Sequence, residues 1–154
     1  DWHPIAHSSF ASSYAGRSPY DLIDMPYGSQ ILWPDHCIQS TYGSAFHKGL
    51  ETDAADMIIR KGFRPHIDSY SAFFENDKTT STGLEGYLHT RGLDTITIVG
   101  LATDFRVAYS ALDAARLGFK VTVDITACRG IDLNGSLDAA LTQMRAAGVK
   151  LKHD

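Results

Sequence analysis

The chain is poor in cysteine, in basic charge and in long apolar runs. Cys37 and Cys128 are its only 2 cysteines. They lie far apart and in no metal-type spacing. That excludes a disulfide framework or a cysteine metal knuckle, and reads as reduced thiols of a cytoplasmic protein. Lys and Arg number 14 against 18 Asp and Glu, a formal charge of −4. With no basic stripe, nucleic acid is not an expected partner. No apolar run approaches the roughly 20 residues of a membrane span, and no signal peptide is visible, so no membrane partner is expected either. The chain also starts at Asp1, in DWHP, without a methionine or a leading element, and reads as cut on its N-terminal side.

What is present is ordinary for a globular protein: 44% hydrophobic and 21% charged residues. One domain is expected over residues 1–154, large enough to bury a core. Asp56–Arg60, DMIIR, reads as a buried strand opening into Lys61-Gly62. Thr82–Gly92 carries Leu84, Tyr87 and Leu88 at helical spacing, with Gly92 as C-cap. DTITIVG, from Asp94, is β-branched and reads as a strand buried on both faces. The pattern over Asp104–Leu117 predicts a helix with Val107, Ala108, Ala111, Leu112 and Ala115 on one face, ended by Gly118. Phe119–Asp124 is a strand, Ser136–Ala147 a helix stopped by Gly148, and VKLK a last strand. This alternation predicts a Rossmann-like α/β fold, a mostly parallel sheet with helices on both faces. Ser8–Thr52 is rich in Ser, Gly, Tyr, Pro and His, lacks periodicity, and reads as a functional loop region.

Ligands in such sheets bind at the carboxyl ends of strands. Asp1 and His3, two apart in an extended segment, share a face. A carboxylate and an imidazole there suit a divalent Zn, Fe or Mn. His36, in WPDHC, is a third candidate ligand, and His7 a fourth or an orienting group. The alternative is that these histidines only hydrogen-bond within the loops. Lys61, at a strand end, either stabilises developing negative charge or is a solvated lysine beside Arg60. The run GLATDFRV is a strand-to-helix turn, and it lifts Arg106 to a helix N-terminus.

Read together, DWHP, HSSFA, WPDHC, RKG, YSAFFEND and GLATDF-V resemble the nicotinamidases, or pyrazinamidases, of the isochorismatase-like cysteine hydrolase superfamily. The resemblance runs from Asp1 to about Leu151. It implies a three-layer α/β/α isochorismatase-like fold, here lacking the family's first strand. It also implies metal ligation by Asp1, His3 and His36, with His7 secondary. Trp33 and Tyr70 match the aromatic contacts of the substrate ring, and Lys61 the catalytic lysine. The Leu101-Ala102 peptide matches a cis bond, with Ala102 at the oxyanion hole. The implied reaction turns nicotinamide, or pyrazinamide, into the acid and ammonia, a step of NAD salvage, in an enzyme that often forms homo-oligomers.

Two departures stand out. Arg106 occupies the position of the family's cysteine nucleophile, which a helix N-terminus and a lysine keep as a thiolate. A guanidinium stays charged and cannot add to a carbonyl. The family's general-base aspartate lies on the first strand; Asp24, in LIDM, only echoes its motif from the long loop. The expectation is a catalytically defective nicotinamidase. The alternatives are a metal-retaining pseudoenzyme that binds nicotinate-like anions, or another isochorismatase-superfamily hydrolase, which the DWHP metal motif disfavours.

Overall fold

The computed structural model describes residues 1–153. They form two compact units, Asp1–Ser69 and the described residues from Tyr70 on.

The second unit follows the βαβ pattern. Helix α1 (Leu84–Thr90) leads into strand β3 (Thr95–Leu101), then helix α2 (Ala108–Arg116), β4 (Lys120–Arg129), α3 (Ser136–Ala146) and β5 (Lys150–Lys152). The three strands form one parallel sheet in the order β3-β4-β5. Thr95 pairs with Lys120, Ile98 with Val123, and Val123 with Leu151. Val123, Ala111, Ala114 and Met144 are fully buried at the centre of the core. The helices stop where the glycines predict. At the end of α2, Gly118 takes φ +91°. Its N–H and that of Phe119 donate to the carbonyls of Ala115 and Ala114. A left-handed glycine thus satisfies carbonyls that would otherwise lose their partners. Helices α1 and α3 end in the same way at Gly92 and Gly148.

Several expectations need correcting. Strand β3 is not buried on both faces: Thr95, Thr97, Val99 and Leu101 are exposed in strict alternation with partly buried residues. Among the described residues it pairs only with β4, so one face and one edge stay open. The helix after β3 does not begin regularly at Asp104. A π-turn spans Thr103–Val107, and α2 follows it. Such turns are rare and concentrate at functional sites. Strand β4 runs on to Arg129, past the predicted end at Asp124.

The first unit is loop-rich, as its composition predicts, but not wholly irregular. Strands β1 (Leu22–Met25) and β2 (Gly28–Ile31) form an antiparallel hairpin around Pro26-Tyr27. Asp24 lies exposed on this hairpin, with its carboxylate towards Ser29 Oγ. The predicted strand Asp56–Arg60 does not form, and Met57 and Ile58 are exposed. An apolar run becomes a strand only where backbone partners flank it. Here Trp2 N–H reaches Lys61 O, beyond the run. The segment is held by its side chains instead. The Arg60 guanidinium lies 5.9 Å from the Trp2 ring centroid and 5.0 Å from that of Phe46.

Candidate metal centre

Three of the predicted ligands converge in the first unit. The ligand atoms of Asp1, His3 and His36 lie within 4.8 Å of one another. The segment after Trp2 pairs briefly with Ile38, since His3 N–H donates to Cys37 O and Gln39 N–H to His3 O. That pairing sets the DWH and DHC segments side by side.

The tautomers suit metal binding. Nδ1 of His3 donates to Gly62 O at 2.8 Å, and Nδ1 of His36 donates to Pro34 O at 2.9 Å. Each ring therefore keeps the lone pair on Nε2. His36 Nε2 lies 3.9 Å from Asp1 Oδ2. His3 Nε2 is buried without a hydrogen-bond partner. A buried polar atom without a partner costs free energy, so it marks a position built to be filled. Backbone carbonyls that orient ligating histidines through Nδ1 are a usual feature of metal sites. Burial is the main reason the His3 pKa falls to about 3; His7 and His36 push the same way, while Asp68 and the Gly62 carbonyl oppose it. A neutral imidazole is the form that binds a metal. The donor set of two histidines and a carboxylate fits Zn, Fe or Mn and does not choose among them.

Gly62 is required here. Its φ is +69°, and a Cβ at this position would lie 2.4 Å from His3 Cε1. The RKG motif thus brings a bare backbone against the imidazole.

Lys61 is neither at a strand end nor solvated. Its Nζ donates to Asp1 Oδ1 at 2.5 Å and to the Ser69 carbonyl. The two charged side chains are only 15% and 12% exposed.

His7 stands behind His3, with ring centroids 4.5 Å apart. Ser9 N–H donates to His7 Nδ1 at 3.2 Å, and Ser9 Oγ lies 2.8 Å from the same atom. A nitrogen that accepts an N–H carries no proton, so Nε2 holds it and donates to Ile67 O at 3.2 Å. Both nitrogens are engaged in hydrogen bonds within the first unit. Burial lowers its pKa. Trp33 is buried and meets the Tyr20 ring edge-on at 6.1 Å.

Two residues escaped sequence reasoning. Asp68 and Gln30 are fully buried beside these histidines. Gln30 Nε2 donates to Asp68 Oδ2 at 3.3 Å, and Tyr27 Oη donates to Gln30 Oε1 at 3.1 Å. Burial first of all drives the Tyr27 pKa up to about 12. A lone Asp and a Gln in polar loops carry no sequence signal.

The second unit holds the other candidates. The Leu101-Ala102 peptide is cis. The Leu101 side chain faces solvent, while Ala102 is buried and its carbonyl accepts the N–H groups of Phe105 and Val107. Arg106 lies within the π-turn, its guanidinium 5.0 Å from the Tyr70 ring centroid. Tyr70 is buried and meets Phe105 and Tyr109 edge-on at 5.9 and 5.1 Å. Asp104 anchors the turn. Its carboxylate accepts from the N–H groups of Ile131 and Asp132 and from Ser136 Oγ, at 3.0, 2.8 and 2.5 Å. Burial works to raise its pKa, but these hydrogen bonds prevail and hold it below the usual carboxylate range.

Residues 5–152 match the isochorismatase domain. The chain belongs to the isochorismatase family. It is similar to a nicotinamidase of Acinetobacter baylyi, 55% identical over 150 residues, which cover 97% of this chain and 70% of the relative. Among solved structures, the nicotinamidase/pyrazinamidase of Acinetobacter baumanii is 56% identical with a TM-score of 0.98, over 99% of this chain and 74% of that one. The pyrazinamidase of Pyrococcus horikoshii in complex with zinc is 31% identical with a TM-score of 0.74, over 100% of this chain and 72% of that one. The expected isochorismatase-like α/β fold with a mostly parallel sheet is the one found. Among the described residues, no helix is long and apolar enough to cross a membrane.

Proposed function

We propose that this chain carries a nicotinamidase-type site whose metal cage is intact and whose nucleophile is lost. The observation that carries this reading is the buried, unpartnered Nε2 of His3 beside Asp1 and His36, in a chain whose relatives are nicotinamidases. Asp1, His3 and His36 hold a divalent metal. When bound, the metal supplies a positive charge that orients the pyridine nitrogen of nicotinamide or pyrazinamide. Trp33 and Tyr70 are assigned the aromatic contacts, and the backbone at Leu101 and Ala102 the oxyanion contacts. Lys61 holds its charge against Asp1 and stabilises negative charge developing on the substrate.

The step that fails is attack on the carboxamide. Arg106 has no lone pair to give at neutral pH. Cys128 does not replace it: the thiol lies in β4, donates to Asp124 O at 3.2 Å, and has its pKa raised chiefly by burial. Cys37 sits in a loop beside His36 and not at a strand-to-helix turn. Loss of the nucleophile removes nearly all of a covalent mechanism, because its groups act as a unit. The compartment of this proposal is the cytoplasm, and its pathway NAD salvage.

The test is ammonia release from nicotinamide and pyrazinamide by the purified, metal-loaded chain. The expected result is retention of metal with no turnover above the uncatalysed rate. Turnover overturns the defect, and a chain that retains no divalent metal overturns the site.

One observation favours a second reading, a pseudoenzyme that binds nicotinate-like anions. Arg106 and Ser110 are polar members of the wall of a cavity of about 320 Å³, lined otherwise mostly by apolar residues such as Phe73, Leu88 and Ile98. A fixed cation at an apolar cavity suits an aromatic carboxylate. Calorimetry that shows no preference for nicotinate over nicotinamide removes this reading.

A further inference from the structure

We infer that Asp68 is a positioning residue of the metal cage, held by Gln30 beside His3 and His7. This inference rests on the metal-centre reading above. Asp68, Gln30, His3 and His7 are all fully buried. A carboxylate in such a place costs several kcal/mol of desolvation unless its surroundings hold the charge. The surroundings do so by design of the backbone. Asp68 Oδ1 accepts the N–H of Ser69 at 2.7 Å, and Oδ2 accepts the Gln30 amide at 3.3 Å.

The clamp comes from the hairpin. Of the eight residues in β1 and β2, Gln30 alone is buried. Its Nε2 is steered by the Ile31 carbonyl at 2.7 Å, and its Oε1 accepts from Tyr27 Oη at 3.1 Å. An otherwise solvent-facing hairpin therefore sends one amide inward, onto Asp68.

The geometry reaches the cage. Single ligand atoms of His3, His7 and Asp68 lie within 4.8 Å of one another. His7 is fixed in the Nε2–H tautomer by Ser9 and Ile67, so it acts as a neutral spacer. At the other side of the cage, Lys61 offsets the charge of Asp1. The cage is thus two neutral imidazoles and a carboxylate already paired with an ammonium. Asp68 places a further negative charge beside the imidazoles, where low dielectric makes it count. It raises the electron-donating power of His3 and favours a dication over an empty cage.

The test compares the full chain with Asp68→Asn, which keeps the shape and removes the charge. Zn²⁺ affinity is read by chelator competition, the Co²⁺ absorption band by spectroscopy, and the melting temperature in the metal-free state. The expected result is a Zn²⁺ affinity lower by roughly 10- to 100-fold, a shifted Co²⁺ band, and partial recovery in Asp68→Glu. Unchanged affinity and band, with only a lower melting temperature, reduce Asp68 to a structural role and overturn the inference. Should Asp68→Asn fail to fold, Gln30→Met decides, since it loosens the carboxylate without removing it. A several-fold weaker Zn²⁺ affinity supports the inference, and unchanged affinity overturns it. If the unaltered chain binds no Zn²⁺ at all, the metal-centre reading itself has failed; equal binding by the chain and Asp68→Asn fails this inference alone.

Discussion

The ammonium of Lys61 lies 2.5 Å from one oxygen of Asp1, while the other oxygen faces Nε2 of His36 at 3.9 Å. One carboxylate is therefore shared between a lysine and a candidate metal ligand. The lysine holds that carboxylate in place. It would also compete with a bound metal for that charge.

Replacing Lys61 by Met separates those two effects. Leaving the Asp1 charge without its partner in this mostly buried setting is expected to destabilise the metal-free chain by about 2–3 kcal/mol, below the range for fully buried pairs. Zn²⁺ affinity is expected to rise several-fold, because the competitor is gone. Urea denaturation with and without Zn²⁺ checks both. Weaker Zn²⁺ binding in Lys61→Met means that the lysine organises the cage more than it competes.

Gly62→Ala is expected to damage the cage directly. The new methyl would stand 2.4 Å from His3 Cε1, in a backbone conformation that L residues rarely adopt. The expected cost is roughly 2 kcal/mol or more in chemical denaturation, with loss of Zn²⁺ binding. Alanine at Gly83 is the control, since nothing lies within 4 Å of its added Cβ. It is expected to pay only the backbone term and to keep Zn²⁺. Equal losses at both positions remove the argument from close approach.

Stability of the metal-free chain is expected to fall as pH drops below about 6.5. Burial lowers the pKa of His7, and that of His3 to about 3. Unfolded histidines take up protons near 6.5, and the folded ones refuse them. The unfolded state therefore gains protons first as pH falls. Stability is fully present above 6.5 and is lost progressively towards 3, at up to about 1.4 kcal/mol per pH unit for each histidine. Denaturation in chelator from pH 7.5 to 4.5 measures this slope. Asp104 does not contribute there, because its carboxyl, held low, stays ionised through that window. A flat profile counts against a buried neutral pair.

Asp104→Ala is expected to loosen the π-turn that carries Arg106. Its carboxylate takes three hydrogen bonds that tie the turn to the start of α3. Their loss in a buried place costs roughly 2–4 kcal/mol. Ser136→Ala removes one of them and is expected to cost about 1 kcal/mol. Hydrogen exchange at Ile131 and Asp132 reports the change locally, since their N–H groups lose or keep their acceptor.

Much of the second unit was legible because its information is local. Thr and Ile alternate at the start of β3, apolar residues recur at helical spacing in α2 and α3, and Gly92, Gly118 and Gly148 end helices that backbone geometry forces them to end. The hairpin β1–β2 leaves no clear signal in the sequence, because half of its strand residues are exposed and its strands carry no apolar alternation. Asp56–Arg60 misled because apolar content was read as a strand where no backbone partner runs beside it.

The cage divides in the same way. The spacing of Asp1 and His3, and the identity of His36 and Lys61 as chemistry-bearing residues, belong to the sequence and to motifs along it. Which nitrogen each histidine offers, the pairing of Lys61 with Asp1, the need for Gly62 and the burial of Asp68 beside the rings were decided only by tertiary structure. The physical reason is distance along the chain. Gly62 and Lys61 stand about 60 residues from the side chains they meet, and Gln30 stands 38 from Asp68. Hydrogen bonds and close contacts across such spans leave no periodic trace in a sequence. They exist only once folding has brought the segments together.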